Sequence, residues 1–386
     1  MRKILKKMKD EKGSITSVVL VTVLFFIIIL STALMVSGTQ RKSQLDSEIT
    51  LKQVYQNQVD DAEKISKKFI NIDVKVPIPE GYYYVGGTEE SGVVISDNVA
   101  DKNKYKGEEN VGKDLDGNQW VWVPVETPTS LYTTVSDGIA LSGNTGVKTK
   151  KYTNSGIIDA NGRPRVLPGD ESGFREPDIL THTTYGDTDE KIQTAGFSSL
   201  ANMAETMVSE YDEMIRSIEK YKGFYIGRYE LSVNGEKTGI TQTGMTWYEH
   251  YKNCTMLAVN SKVKTRMIWS SQWDATCEWL SNSGFSITDS KDWGNYPDYP
   301  DKDKNEHLYQ NTGHCEAWKA NNIYDFAGNC WEFTQEAYTD SDRTARGGSY
   351  RNPGSTVSVS SDTYYATNFK AEFICSRPTL YLIPWN

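Results

Sequence analysis

The longest apolar run lies near the N-terminus: Ile15 to Val36 holds 22 residues with neither a charge nor a proline. As a helix rising ~1.5 Å per residue it would span about 33 Å, against a hydrocarbon core of ~30 Å. It exceeds the ~7–15 apolar residues of a cleaved signal peptide. The pattern predicts a transmembrane helix over 14–38. Thr39 to Ile70 is then polar, without Pro or Gly, and carries Leu51, Tyr55, Val59, Ala62, Ile65 and Phe69 mostly three or four apart. That stripe predicts a helical stalk over 39–76, ended by Pro77 and Pro79, with an unordered linker as the alternative.

From Gly81 the texture changes to short apolar runs broken by Gly, Asn and Asp. GYYYVGG, VVIS and WVWVPV read as strands, the last preceded by the turn signal Asp116-Gly117. Residues 126–195 are rich in Thr, Ser, Gly and Asp and read as surface loops. Leu200, Met203, Met207, Tyr211, Met214, Ile218 and Tyr221 mark one face of an amphipathic helix, with Gly223 as its terminator and FYIGRYELSV as the strand that follows. A second helix is expected in SSQWDATCEWLSNSG, capped by Ser271 and closed by Gly284. Few helices among many short strands predict an α+β domain over 77–386.

Charge sharpens this division. Residues 1–13 carry a net +4, so the remainder of a chain at −9 carries −13. Lysines ahead of the apolar run place the N-terminus in the cytoplasm and the acidic domain outside, as a single-pass cell-membrane protein. An acidic chain without a basic cluster beyond its first residues does not suit nucleic acid, which needs clustered Lys and Arg. With 23 Tyr and 10 Trp the chain is far too aromatic for a solvated acidic tail. Lys12-Gly13-Ser14 resembles a type IV prepilin leader cut after Gly13. Pilins usually carry Glu five residues into the mature chain, where this sequence has Val18. A plain anchor and a processed, pilin-like subunit pairing with other pilus subunits therefore both stand.

FYIGRYELS, RMIWSSQWDATCEWL, NIYDFAGNCWEFTQE and ARGGSY, in this order, resemble the formylglycine-generating (sulfatase-modifying factor) family. The resemblance spans about 78–386 and implies a C-type-lectin-like fold. Family enzymes are similar in holding copper on two cysteines, the first two residues after GGSY and the second five further on. Here those positions are Asn352 and Val357. Neither an amide nor an isopropyl group can ligate soft Cu(I), so no copper is expected. The late GFR of the family is also altered, with Cys375, Ser376 and Arg377 in its place.

Other chemistry is thin. His182, His250, His307 and His314 form no compact iron-ligand motif, and the five cysteines show no CxxC. Disulfides such as Cys254–Cys277 or Cys315–Cys330 suit an extracellular domain. The resemblance carries a calcium position onto Asp325, the carbonyls of Gly328 and Cys330, and Glu332. Two carboxylates around a Gly-Asn turn offer the oxygens a hard cation needs. The acidic runs at Asp114–Asn118 and Asp301–Asn305 lack the later ligands of an EF-hand loop.

Where the family keeps its active site, Tyr350 to Asn368 holds four Ser, three Thr, three Tyr and two Asn. Such residues suit an adaptable contact surface with rigid aromatic area. Trp331, Ser349, Tyr350, Asn352, Tyr364 and Tyr365 are the expected ligand-binding residues, and an unpartnered Ser/Thr-rich loop is the alternative. The functional expectation is a membrane-anchored surface module that binds an extracellular protein or glycan. A divergent cysteine-modifying oxidoreductase and a minor pilin or pilus-tip adhesin are the competing classes.

Overall fold

A computed structural model describes residues 76–125, 189–301, 308–337 and 342–383. The expected anchor, the Gly13-Ser14 junction, the stalk, His182, His307 and most of the 126–195 segment lie outside the described residues. No helix among the described residues is long and apolar enough to cross a membrane.

The WVWVPV run forms a strand because both of its faces are covered. Strands β1 (Tyr83–Gly86), β2 (Val94–Ser96), β3 (Gln119–Pro124), β4 (Gly223–Gly227), β5 (Val263–Met267) and β12 (Pro378–Leu382) make one antiparallel sheet, ordered β1-β2-β3-β4-β12-β5. Alternation along β3 sends Val121 and Val123 to one side and Trp120 and Trp122 to the other. The valines join Phe224 and Ile226 in the main core, and the tryptophans join Tyr82, Tyr225 and Leu380 in a second one. Sheets buried on both faces read as continuous apolar runs, which β3 does.

Helix α2 (Leu200–Tyr221) lays Met203, Met207, Tyr211, Met214 and Ile218 into the main core, all fully buried. Its end differs from expectation. Lys222, not Gly223, takes the left-handed conformation (φ 65°) and donates its N–H to the Ile218 carbonyl. Gly223 instead makes room for Trp122: a Cβ there would lie 2.4 Å from the indole Cζ2. Two helices went unpredicted, α1 (Asp189–Ala195) and α3 (Trp247–Thr255), so the 126–195 stretch is not loop throughout. Helix α4 (Ser270–Asn282) is capped two residues earlier than Ser271 suggests. Its N-cap is Trp269, whose N–H donates to Gln272 Oε1 at 3.1 Å.

The last third builds a smaller sheet ordered β10-β9-β8-β11, from β8 (Trp331–Ala337), β9 (Asp342–Arg346), β10 (Asp362–Ala366) and β11 (Ile374–Ser376). A two-stranded ribbon of β6 (Lys319–Ala320) and β7 (Ile323–Tyr324) precedes it. β11 runs parallel to β8, with Cys375 opposite Glu332. A buried pair, Arg346 Nη2 to Asp274 Oδ1 at 2.9 Å, ties this sheet to α4. The architecture is therefore mixed α+β, with several sheets and few helices.

Candidate functional site

The ARGGSY turn opens the segment that holds Asn352 and Val357. Gly347 and Gly348 both have positive φ (96° and 76°), and a Cβ on Gly348 would press 2.7 Å from the Val357 carbonyl oxygen. Asn352 turns back on this corner: its Oδ1 accepts from Ser349 Oγ at 2.9 Å, and its N–H donates to the Ser349 carbonyl at 3.0 Å. Val357 packs against the main core. Asp298 accepts from Gly354 N, Ser355 N and Ser355 Oγ at 2.7, 3.1 and 2.6 Å, clamping the loop. These atoms close a turn, and the two positions singled out in the sequence hold an amide and an alkyl group.

Of the residues expected to bind ligand, Trp331, Ser349 and Tyr350 are buried. The Tyr350 hydroxyl accepts from Arg351 Nε at 2.9 Å and donates to Glu372 at 3.2 Å, so its polar end is engaged within the fold. Tyr364, on β10, is 48% exposed. Tyr365 is partly buried and leans edge-on toward Phe333. The expected group thus divides between the interior and the sheet edge.

Sequence reasoning missed the partner of Tyr365. The Phe369 N–H donates back to the Ala366 carbonyl, and this turn lays the Phe369 ring parallel to Tyr365, 5.1 Å away at 7°. Phe369 stays 39% exposed. Phe373 adds a third ring 6.0 Å from Tyr365, and the Arg351 guanidinium sits 4.4 Å over it. The signal was the aromatic density of YYATNFKAEF, whose turn could not be placed from spacing alone. Among the described strands only β9 pairs with β10, Tyr364 lying opposite Thr344 and Tyr365 opposite Arg343. Successive residues of a strand project to opposite faces, so Tyr364 and the Tyr365–Phe369 stack straddle the edge of β10 that no described strand pairs with.

Behind this sheet lies a closed polar centre. Arg377 donates through Nε and Nη2 to both oxygens of Glu332 (2.6–3.1 Å), and further to the carbonyls of Gly227 and Tyr324. Asp325 Oδ2 accepts from Thr312 Oγ1 and Gly313 N at 3.0 and 2.7 Å, while Oδ1 finds no hydrogen-bond partner among the described residues. Burial pushes the Asp325 carboxyl up to about 6 and drives Glu230 well above the carboxylate range, reinforced by Asp325 and Glu332 beside it. The calcium expectation fits this arrangement poorly. Calcium takes ~6–8 oxygens, and here it would have to displace a guanidinium from Glu332 to complete its shell.

The remaining candidates are scattered. His250 is fully buried on α3, its Nδ1 3.0 Å from Ser376 Oγ, and burial lowers its pKa to about 3. His314 lies beside Trp318, ring centroids 6.0 Å apart. No disulfide joins the five cysteines, all of them buried, so neither expected pairing forms. Asp114, from the first acidic run, pairs with Lys104 at 2.8 Å. A cleft of about 810 Å³ opens elsewhere, walled by Trp122, Tyr221 and Trp279 and rimmed by Glu89, Glu90 and Glu109. No residue of β10 lines it.

No family model matches the chain, and no curated protein does. Seventeen solved chains match it. The crystal structure of CarF is 12% identical, with a TM-score of 0.31, over 42% of this chain and 87% of that one. Variable protein 1 of Treponema denticola is 14% identical, with a TM-score of 0.30, over 42% and 85% respectively. Both likenesses are shallow, and each covers less than half of the present chain.

Proposed function

We propose that this chain is a cell-surface binding protein, anchored in the membrane by Ile15–Val36, whose outer domain rests on a C-type-lectin-like, sulfatase-modifying-factor scaffold that has lost catalysis. It captures an extended segment of a protein partner along the open edge of β10. The observation that carries this reading is the pair of aromatic surfaces flanking that edge, Tyr364 on one face and the Tyr365–Phe369 stack on the other. A strand added to a sheet edge gains main-chain hydrogen bonds, and its alternate side chains fall on opposite faces. Those side chains would meet Tyr364 and Phe369 in turn. Asn352 and Val357 support the loss of catalysis, because neither side chain can hold copper.

Panning a phage-displayed heptapeptide library on the 386-residue chain supplies a probe. Tyr364→Ala and Phe369→Ala are each expected to weaken the selected peptides about tenfold, the ~1.4 kcal/mol of an ordinary aromatic contact, while both variants still unfold cooperatively in urea. Peptides indifferent to both substitutions, capture of glycans alone, or copper-dependent turnover of a cysteine peptide would contradict the reading.

A further inference from the structure

Two of the buried cysteines do not stand alone. Cys330 immediately precedes β8, and Cys375 lies on the parallel neighbour β11 with Ile374 opposite Trp331 and Cys375 opposite Glu332. This register brings their thiols to one side of the strand pair. A carboxylate oxygen of Glu230 joins them, and the two sulfurs and this oxygen all lie within 4.8 Å of one another. All three residues are fully buried.

We propose that Cys330, Cys375 and Glu230 form a binding site for a soft divalent metal, zinc by its chemistry. Zinc takes thiolate sulfur at ~2.3 Å and carboxylate oxygen at ~2.0–2.2 Å in a tetrahedral shell. Ligand atoms in such a shell stand roughly 3.3–3.8 Å apart, so a pair at the 4.8 Å bound would close by about 1 Å as the ion enters. The Cys330 thiol donates to the Glu372 carbonyl at 3.7 Å, a bond that zinc would replace. Each thiol, and the Glu230 carboxyl, gives up its proton to solvent as it binds, so uptake strengthens as pH rises.

The surroundings are built for ligation. Thr241 Oγ1 and Asn329 Nδ2 donate to Glu230 Oε2 at 2.9 and 2.6 Å, and Cys330 N donates to Oε1 at 3.2 Å. Hydrogen bonds of this kind orient a ligand and hold it in place. The Leu231 N–H, donating to the Ser376 carbonyl at 2.9 Å, ties the Glu230 segment directly to β11. A dithiol destined only for a disulfide has no use for an oriented carboxylate. The site is also distinct from the positions of Asn352 and Val357, and it uses the thiol of Cys330, not its carbonyl.

The test is the metal content of the 386-residue chain, produced with zinc in the medium and purified under reducing conditions. One zinc per chain is expected, replaceable by cobalt with a thiolate-to-cobalt charge-transfer band. Cys330→Ser and Cys375→Ser should each abolish both signals, Glu230→Gln should weaken zinc, and Cys315→Ser should leave it intact. A metal-free chain, a mapped Cys330–Cys375 disulfide, or zinc retained in both serine variants would overturn the site. If the serine variants fail to fold, the metal content and cobalt spectrum of the unaltered chain decide alone.

Discussion

His250 shows how burial sets chemistry at the scale of one residue. Its ring touches Ser376 and Phe333 inside the core, and burial lowers its pKa from the ordinary 6.5 to about 3. The unfolded chain accepts a proton below pH ~6.5 that the folded chain refuses until about pH 3, so this residue's contribution to stability falls as pH falls through that window. Asp325 works in the opposite sense. Its folded carboxyl holds a proton up to about pH 6, which favours the fold on the acid side. Comparing variants separates the two. Between pH 7 and 5 the unaltered chain should lose about 2 kcal/mol more unfolding free energy in urea than His250→Gln. Equal losses would mean that the imidazole is not held neutral. A lone histidine is legible in a sequence, but its burial is not, because burial depends on strands more than a hundred residues away.

At the scale of elements, local signals decided what could be read. Helix α2 was legible because its apolar stripe is long and its polar face is clean. Helix α3 was not, although Thr246 and Glu249 form a full capping box at the start of the helix that buries Trp247, Tyr248, Tyr251 and Cys254. Aromatic residues favour strands as readily as helices, and nine residues give the helical period little room. Thr246→Ala removes the side chain that accepts from Glu249 N, and the cost should be ~1 kcal/mol, read as a lower urea midpoint with an unchanged slope. No shift would mean the cap contributes nothing. The strand expected in FYIGRYELSV stops at Gly227 for a tertiary reason. Arg228 turns inward to donate to the Asn322 carbonyl at 3.1 Å and to Gln119 Oε1 at 2.7 Å, partners far away in sequence. The parallel pairing of β11 with β8, on which the dithiol site depends, likewise left no local trace.

At the scale of the whole molecule, the mixed α+β class followed from short apolar runs between turn signals. The division of the Tyr350–Asn368 segment did not. Composition marked it as a contact surface, yet packing draws Tyr350 inward and leaves Tyr364 out, and a turn recruits Phe369. That Asn352 and Val357 are not cysteines was legible at once, because residue identity alone carries it. Two surfaces compete for the role of recognition, the β10 edge and the cleft walled by Trp122 and Trp279. Hydrogen exchange of the 386-residue chain, with and without a selected peptide, distinguishes them directly. Binding at the edge should slow exchange across 362–369 and leave 119–124 and 276–283 unchanged. Protection confined to the cleft segments, with 362–369 exchanging as before, would contradict recognition at β10.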